Sequence, residues 1–128
     1  MPALFVNGEG MKGGAVHPNI AAHEFLGEVR TAPRYRLYSV RDEFPGMAEA
    51  APGEGASIPG ELYEVPLTTL LHRFMPDEPP ELELSVIELE DGRAALAVAL
   101  REEERARHTD ITEHGGWRAY RAGLATRS

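Results

Sequence analysis

The order of short apolar runs predicts an α+β fold built on a small mixed or closed sheet. Three observations carry this reading. About six short runs are bounded by Gly, Pro and Asp turn residues. One of them, Glu81-Leu82-Glu83-Leu84-Ser85-Val86, alternates polar with apolar and runs on to Asp91-Gly92, a hairpin signal, before returning through Arg93 to Leu100. Helical spacing of apolar residues is confined to short stretches near Pro66 and Trp117.

Along the chain, Ala3-Leu4-Phe5-Val6 is an apolar run stopped by Asn7-Gly8, the pattern of a buried strand. From Asn7 to Gly14, four glycines fall in eight residues. They favour neither helix nor strand, because each costs chain entropy, and they free backbone N–H groups to point at a ligand. Asn19 to Glu24 fits a helical turn. Phe25–Arg30 and Tyr35–Val40 read as strands joined by the turn Thr31-Ala32-Pro33-Arg34. Asp42 to Gly60 reads as a loop broken by Pro45, Pro52 and Pro59, with Phe44-Pro45-Gly46-Met47 as its anchor. In the strand Glu61–Val65, Leu62 and Glu64 face one way and Tyr63 and Val65 the other.

Pro66 to Phe74 suits a short helix, with Leu67, Leu70, Leu71 and Phe74 at helical spacing and Pro76, Pro79 and Pro80 ending it. In the alternating run, Leu82, Leu84 and Val86 are expected toward the core and Glu81, Glu83 and Ser85 away from it. Ile87 and Leu89 break that parity, which predicts a bulge near Ile87. The return strand sets Leu96, Val98 and Leu100 against Ala95, Ala97 and Ala99, and alanine along one face marks a close neighbour. Glu102-Glu103-Glu104-Arg105 is a charged linker. Beyond Gly115-Gly116, Trp117, Tyr120 and Leu124 form one stripe of a short C-terminal helix. Residues 1–101 are thus the sheet-bearing part, and 102–128 a linker and helix packed on the same domain.

A chain of 128 residues and 14.0 kDa suits one domain. The scaling of surface with mass buries roughly two thirds of the unfolded area, enough for a core without a metal or disulfide. The absence of cysteine excludes a disulfide framework, a thiolate zinc site and a cysteine nucleophile. A net charge of −8, with basic residues spread among acids, argues against nucleic acid as a partner. No stretch approaches the length of a membrane span, and no basic-then-apolar leader opens the chain, so a cytoplasmic location is expected.

The glycine loop is the most informative feature. It suits a carboxylate or oxyanion, and equally a turn that binds nothing. It carries no dinucleotide or P-loop fingerprint, and no cofactor is implied. His17, His23, His72, His108 and His114 make no close ligand pair, so no metal site is expected. His17, just after the loop, is the best proton-transfer candidate. Among the carboxylates, Glu9 sits within the loop, while Glu78 and Glu81 flank Pro79-Pro80 at the end of a helix. A carboxyl group in a pocket can have a raised pKa and act as general acid or base. Tyr35, Tyr38 and Tyr63 sit in strands, as core residues or as the lining of a cavity.

Read together, several segments resemble the gamma-glutamylcyclotransferase-like (AIG2-like) superfamily. They are Leu4-Phe5-Val6-Asn7-Gly8-Glu9-Gly10-Met11, Phe25-Leu26-Gly27-Glu28-Val29-Arg30-Thr31-Ala32-Pro33-Arg34-Tyr35-Arg36-Leu37-Tyr38, Phe44-Pro45-Gly46-Met47 and Ile58-Pro59-Gly60-Glu61-Leu62-Tyr63. The strand ending at Tyr38, the segment Glu78 to Gly92 and the block Gly115-Gly116-Trp117-Arg118-Ala119-Tyr120 are most similar to the C-terminal domain of allophanate hydrolase and its stand-alone relatives.

The resemblance implies a small mixed β-barrel with short flanking helices and a cavity beside the first loop. It implies an enzyme acting on a carbamoyl, ureido or gamma-glutamyl-like compound, decarboxylation of a carboxylated urea-like intermediate being one specific version. The expected substrate-binding residues are Asn7, Gly8, Glu9, Gly10 and Met11, through their backbone, together with Tyr38. The expected catalytic residues are His17 as proton donor and Glu78 or Glu81 as carboxylate. The superfamily's usual Tyr-Gly-Ser/Thr-Leu loop is Asn7-Gly8-Glu9-Gly10 here, and Met75 stands at the position of its acid/base glutamate. Ordinary cyclotransferase activity is therefore not expected, and a non-catalytic small-molecule binding or accessory domain is the alternative. A homodimer through the acidic surface or the Trp117 helix is a further partner reading.

Overall fold

A computed structural model describes residues 2–127. Strand β1 (Ala3–Val6) lies at the centre of a five-stranded sheet. It pairs antiparallel with β5 (Pro59–Glu64) and parallel with β7 (Ala94–Leu100). β2 (Glu24–Arg30) extends the sheet beyond β5, and β6 (Leu82–Glu88) extends it beyond β7. A second, three-stranded sheet has the order β4–β3–β8, formed by Phe44–Glu49, Tyr35–Val40 and Thr109–Asp110.

The edges of the larger sheet converge at one end. Thr31 bridges Leu89, Ala32 N–H donates to Glu88 O at 3.0 Å, and Glu90 N–H donates to Arg30 O at 2.9 Å. The sheet is therefore strongly curled, but no continuous ladder among the described residues closes it into the expected barrel.

β4 departs from the expected loop. It pairs with β3 from Val40↔Phe44 to Tyr35↔Glu49 across a tight turn in which Arg41 and Asp42 have φ of 55° and 59°. Pro45 and Gly46 mask the strand in the sequence. Pro45 is tolerated because β4 is an edge strand. Gly46 is needed because a Cβ there would lie 2.8 Å from Leu100 Cδ1. That close approach seats β4 on β7, and Val40, Ala48, Leu82 and Leu100 form a small second core between the sheets.

The parity of β6 follows expectation at Leu82, which is buried in the second core, and reverses beyond it. Its register with β7 is regular from Leu82↔Leu100 to Glu88↔Ala94, without a bulge. Ile87, opposite Ala95, is buried in the main core, whereas Leu84 and Val86 are exposed, Val86 at 66%. The alanines decide this. Ala95 and Ala97, opposite Ile87 and Ser85 on the neighbouring strand, are buried in the main core, so theirs is the covered face.

After β5 the chain forms α1 (Leu67–Thr69), a wider π turn over Leu70–Phe74 and a 3₁₀ turn over Met75–Asp77. Only Leu70 and Phe74 of the expected stripe reach the core, while Leu67 and Leu71 are exposed. The C-terminal helix α2 (Trp117–Arg127) follows Gly115 and Gly116, both at positive φ, as expected. Trp117 and Tyr120 are buried in the main core and Leu124 packs against it. Its apolar stripe is thus packed within the chain.

Candidate functional site

The glycine loop folds as a compact turn beyond β1. Met11 N–H donates to Gly8 O at 3.0 Å, and Val16 N–H donates to Glu9 O at 3.0 Å. The N–H groups of Gly8, Glu9 and Gly10 donate to no acceptor among the described residues. Gly8 is set by packing. A Cβ there would sit 2.5 Å from both Cδ and Cγ of Pro45, so the loop lies directly on β4.

Between this loop, the start of β4 and the end of the α1 segment lies a cavity of about 70 Å³. Its walls are apolar, from Phe5, Phe44, Pro45, Phe74 and Val98. Its polar lining comes from Asn7, the loop backbone and Glu78. The space is small and communicates with solvent. Asn7 is 9% exposed, and its Nδ2 has no hydrogen-bond partner among the described residues. A buried donor left unpaired costs about 1–3 kcal/mol.

Glu78 follows the 3₁₀ turn, at the point where Pro79 and Pro80 turn the chain into β6. Burial, assisted by the negative charge of Asp77, pushes its carboxyl up to about 7. This is the behaviour of a carboxyl group partly removed from water with no cation beside it. At neutral pH it exists in both protonation states, which suits proton transfer.

Other residues expected at the site lie elsewhere. Glu81 does not line the cavity. Its Oε2 accepts from Arg41 Nη1 at 2.6 Å, and that partner holds its carboxyl below the ordinary range. His17 Nδ1 lies 2.9 Å from Gly10 O, and the ring sits 5.6 Å from that of Tyr63. It therefore braces the loop from behind. Met11 is buried and turns toward a different cavity. Tyr38, on β3, lines a shallow groove with Arg36 and Arg105 on the outer side of the small sheet. Glu9 contributes to the cavity wall, but its carboxylate is committed to α2. It accepts from Trp117 Nε1 at 2.8 Å and from Ala15 N–H at 3.1 Å.

A larger cavity, about 400 Å³, opens on the other side of the loop between β2, β5 and the start of α2. Its buried carboxylate, Glu61, is fully engaged by Lys12 N–H at 2.9 Å, Tyr63 OH at 2.9 Å and Arg118 Nη2 at 3.0 Å. These donors hold Glu61 below the ordinary carboxylate range despite burial. Sequence parity did not single out Glu61, because β5 is central and buries both faces, with Glu61, Leu62 and Tyr63 each at 1–2% exposure. The larger cavity has volume, but its buried charge is already neutralised. The smaller one retains an unpaired donor and a carboxyl group poised near neutrality.

The sequence profile of the allophanate hydrolase C-terminal domain matches residues 2–122. The chain belongs to the allophanate hydrolase C-terminal domain family. Solved structures agree. A uropathogenic E. coli-specific protein superposes with a TM-score of 0.85 at 36% identity, covering 93% of this chain and 94% of that one. Kluyveromyces lactis allophanate hydrolase matches at 27% identity with a TM-score of 0.85, over 96% of this chain but only 21% of its own. The chain therefore corresponds to about a fifth of that enzyme. A mouse AIG2-like protein shares the fold alone, at 22% identity and a TM-score of 0.58, with 88% and 78% of the two chains covered. No curated protein matches the sequence. In this chain the glycine loop shares its cavity with Glu78 and not with Met75. Met75 packs partly buried against the main core.

Proposed function

We propose that this member of the family is a small-molecule enzyme that transforms a carbamoyl, ureido or gamma-glutamyl-like compound in the cavity beneath the glycine loop. The observation that carries the reading is Glu78, a carboxyl group raised to about 7 that lines the same cavity as Asn7 and Gly8. Free N–H groups of the loop are donors for an oxyanion, and Glu78 is the acid/base group that Met75 cannot be.

The small volume favours a compact reacting group, so a carboxylated urea-like substrate is the specific version. Its C–N bond to the carboxylate breaks, the electron pair passes to nitrogen, nitrogen takes the proton of Glu78, and CO₂ leaves. The emptied carboxylate regains its proton from solvent. An apolar wall assists by destabilising the charged carboxylate relative to neutral CO₂.

The test is incubation of the purified protein with urea carboxylate and with a gamma-glutamyl dipeptide, following CO₂ and 5-oxoproline. Release of CO₂ that is lost in Glu78→Gln supports the reading. Absence of any turnover, or turnover indifferent to Glu78→Gln, refutes it. The second reading, a non-catalytic binding domain, is favoured by Met75 at the usual glutamate position. A compound that raises the melting temperature and is never consumed would establish it.

A further inference from the structure

Glu61 is a charge in a place where an apolar side chain would serve the core better. It lies on the central strand β5, opposite Val6 of β1 and Glu28 of β2, and is 2% exposed. Burying a carboxylate costs several kcal/mol before its partners act, roughly, and leucine or methionine would fill the position without that cost. What Glu61 adds is its contacts, and these converge on one residue of the glycine loop. Glu61 Oε1 accepts from Lys12 N–H, and Oε2 accepts from Arg118 Nη2. The same Arg118 nitrogen donates to Lys12 O at 2.7 Å. The Lys12 ammonium sits 3.6 Å from the centre of the Phe25 ring on β2. The N–H, the carbonyl and the side chain of Lys12 are therefore held by three different elements, β5, α2 and β2.

The loop is held a second time at Glu9, whose carboxylate accepts from Trp117 Nε1. Trp117 and Arg118 are consecutive, so the first turn of α2 grips the loop at both Glu9 and Lys12. Between and beside these two points, Gly8, Glu9 and Gly10 line the small cavity and keep their own N–H groups unspent.

We propose that Glu61 is a positioning residue, which with Arg118 pins the Lys12 peptide and so fixes the glycine loop against the cavity. The anchoring stands on these contacts alone, whereas its effect on turnover rests on the reading of that cavity as the reaction site. Donors fixed before the reaction need no reorganisation during it. A loop with four glycines in eight residues has much backbone freedom to lose, and Glu61 and Arg118 offset that loss from outside the cavity.

The test is residue-resolved amide hydrogen exchange on the whole protein, parent against Glu61→Gln. The substitution keeps the volume and an acceptor for Lys12 N–H and Tyr63 OH, but turns an NH₂ group toward Arg118. Exchange at Met11, Lys12 and Val16 should quicken about tenfold more than exchange in the β1–β5 ladder, since a bond to a charged group is lost from the loop and not from the strands. The chain has one tryptophan, so one indole N–H reports the Glu9 contact. It should exchange faster as well, although Glu61 does not touch Trp117. Tyr63→Phe removes a donor to Glu61 that lies outside the loop, and should leave the loop and ladder amides in their parental ratio.

Loop amides that quicken no more than the ladder in Glu61→Gln overturn the proposal, because a purely structural carboxylate would loosen both alike. Should that variant fail to fold, Arg118→Gln decides by the same comparison, its side chain being 53% exposed. An unprotected Lys12 amide in the parent overturns the proposal without any variant. A loosened loop with unchanged turnover refutes the cavity as the reaction site and leaves the anchor standing. An unmoved loop overturns the anchor whatever happens to turnover.

Discussion

Glu78→Gln converts the raised carboxyl of the cavity into a measurable dependence of stability on pH. In the unfolded chain this carboxyl titrates at its ordinary 4.5, and in the folded protein at about 7. Below 4.5 both states hold the proton, and the group has its full stabilising effect. Between 4.5 and 7 the unfolded state releases its proton while the folded state keeps it, so stability falls as pH rises, and above 7 the loss is complete. At about 1.4 kcal/mol per pH unit the gap amounts to about 3 kcal/mol. That is a large part of the 5–15 kcal/mol, roughly, available to a domain. The assay is urea unfolding of the parent and Glu78→Gln at intervals from pH 4.5 to 8. Every other ionisable group is common to the two proteins, so the difference between them isolates Glu78. The variant, neutral throughout, should gain on the parent by about 3 kcal/mol between the two extremes. A difference that stays constant with pH would show that Glu78 is well solvated, and the acid/base role assigned to it would go with it.

Two further substitutions test the packing that shapes the site. Gly8→Ala should cost about 1–3 kcal/mol in chemical unfolding, because the added methyl meets the Pro45 ring at 2.5 Å. Combining it with Pro45→Ala should recover more than about 0.5 kcal/mol of that loss, and simple additivity would contradict the contact. Val86→Lys, at a position 66% exposed, should change stability by no more than about 0.5 kcal/mol, whereas Ile87→Lys, 4% exposed, should unfold the protein. The opposite ranking by thermal melting would restore the strand parity read from the sequence.

Much of the architecture was legible because its signals are local. The run ending at Asn7-Gly8, the strand Tyr35–Val40, the hairpin at Asp91-Gly92 and the helix after Gly115-Gly116 each carry their own stop or turn residue. β4 was not legible, since Pro45 and Gly46 deny it strand composition. Its existence depends on an edge position and on Leu100 filling the space that Gly46 leaves. The facing of Leu84 and Val86 in β6 was misread for a related reason. Alternation states that two faces differ, not which is buried, and Ala95 and Ala97 on the partner strand settled that. Of the site residues, the loop from Asn7 to Gly10 and Glu78 meet at one cavity, while His17, Glu81, Met11 and Tyr38 do not line it. Glu78 and Glu81 were equivalent in the sequence. Arg41, forty residues from Glu81 and brought close by the β3–β4 turn, separates them.

The sequence alone determined the type and order of most elements, the family, and a glycine-rich loop with spare backbone donors, because these depend on residues close together in the chain. The tertiary structure decided which carboxyl group loses water, which strand face is covered, and that the Asn7 amide is buried without a partner among the described residues. Those properties depend on what long-range packing places around a side chain, and desolvation and charge pairing are set by that surrounding rather than by neighbours in sequence.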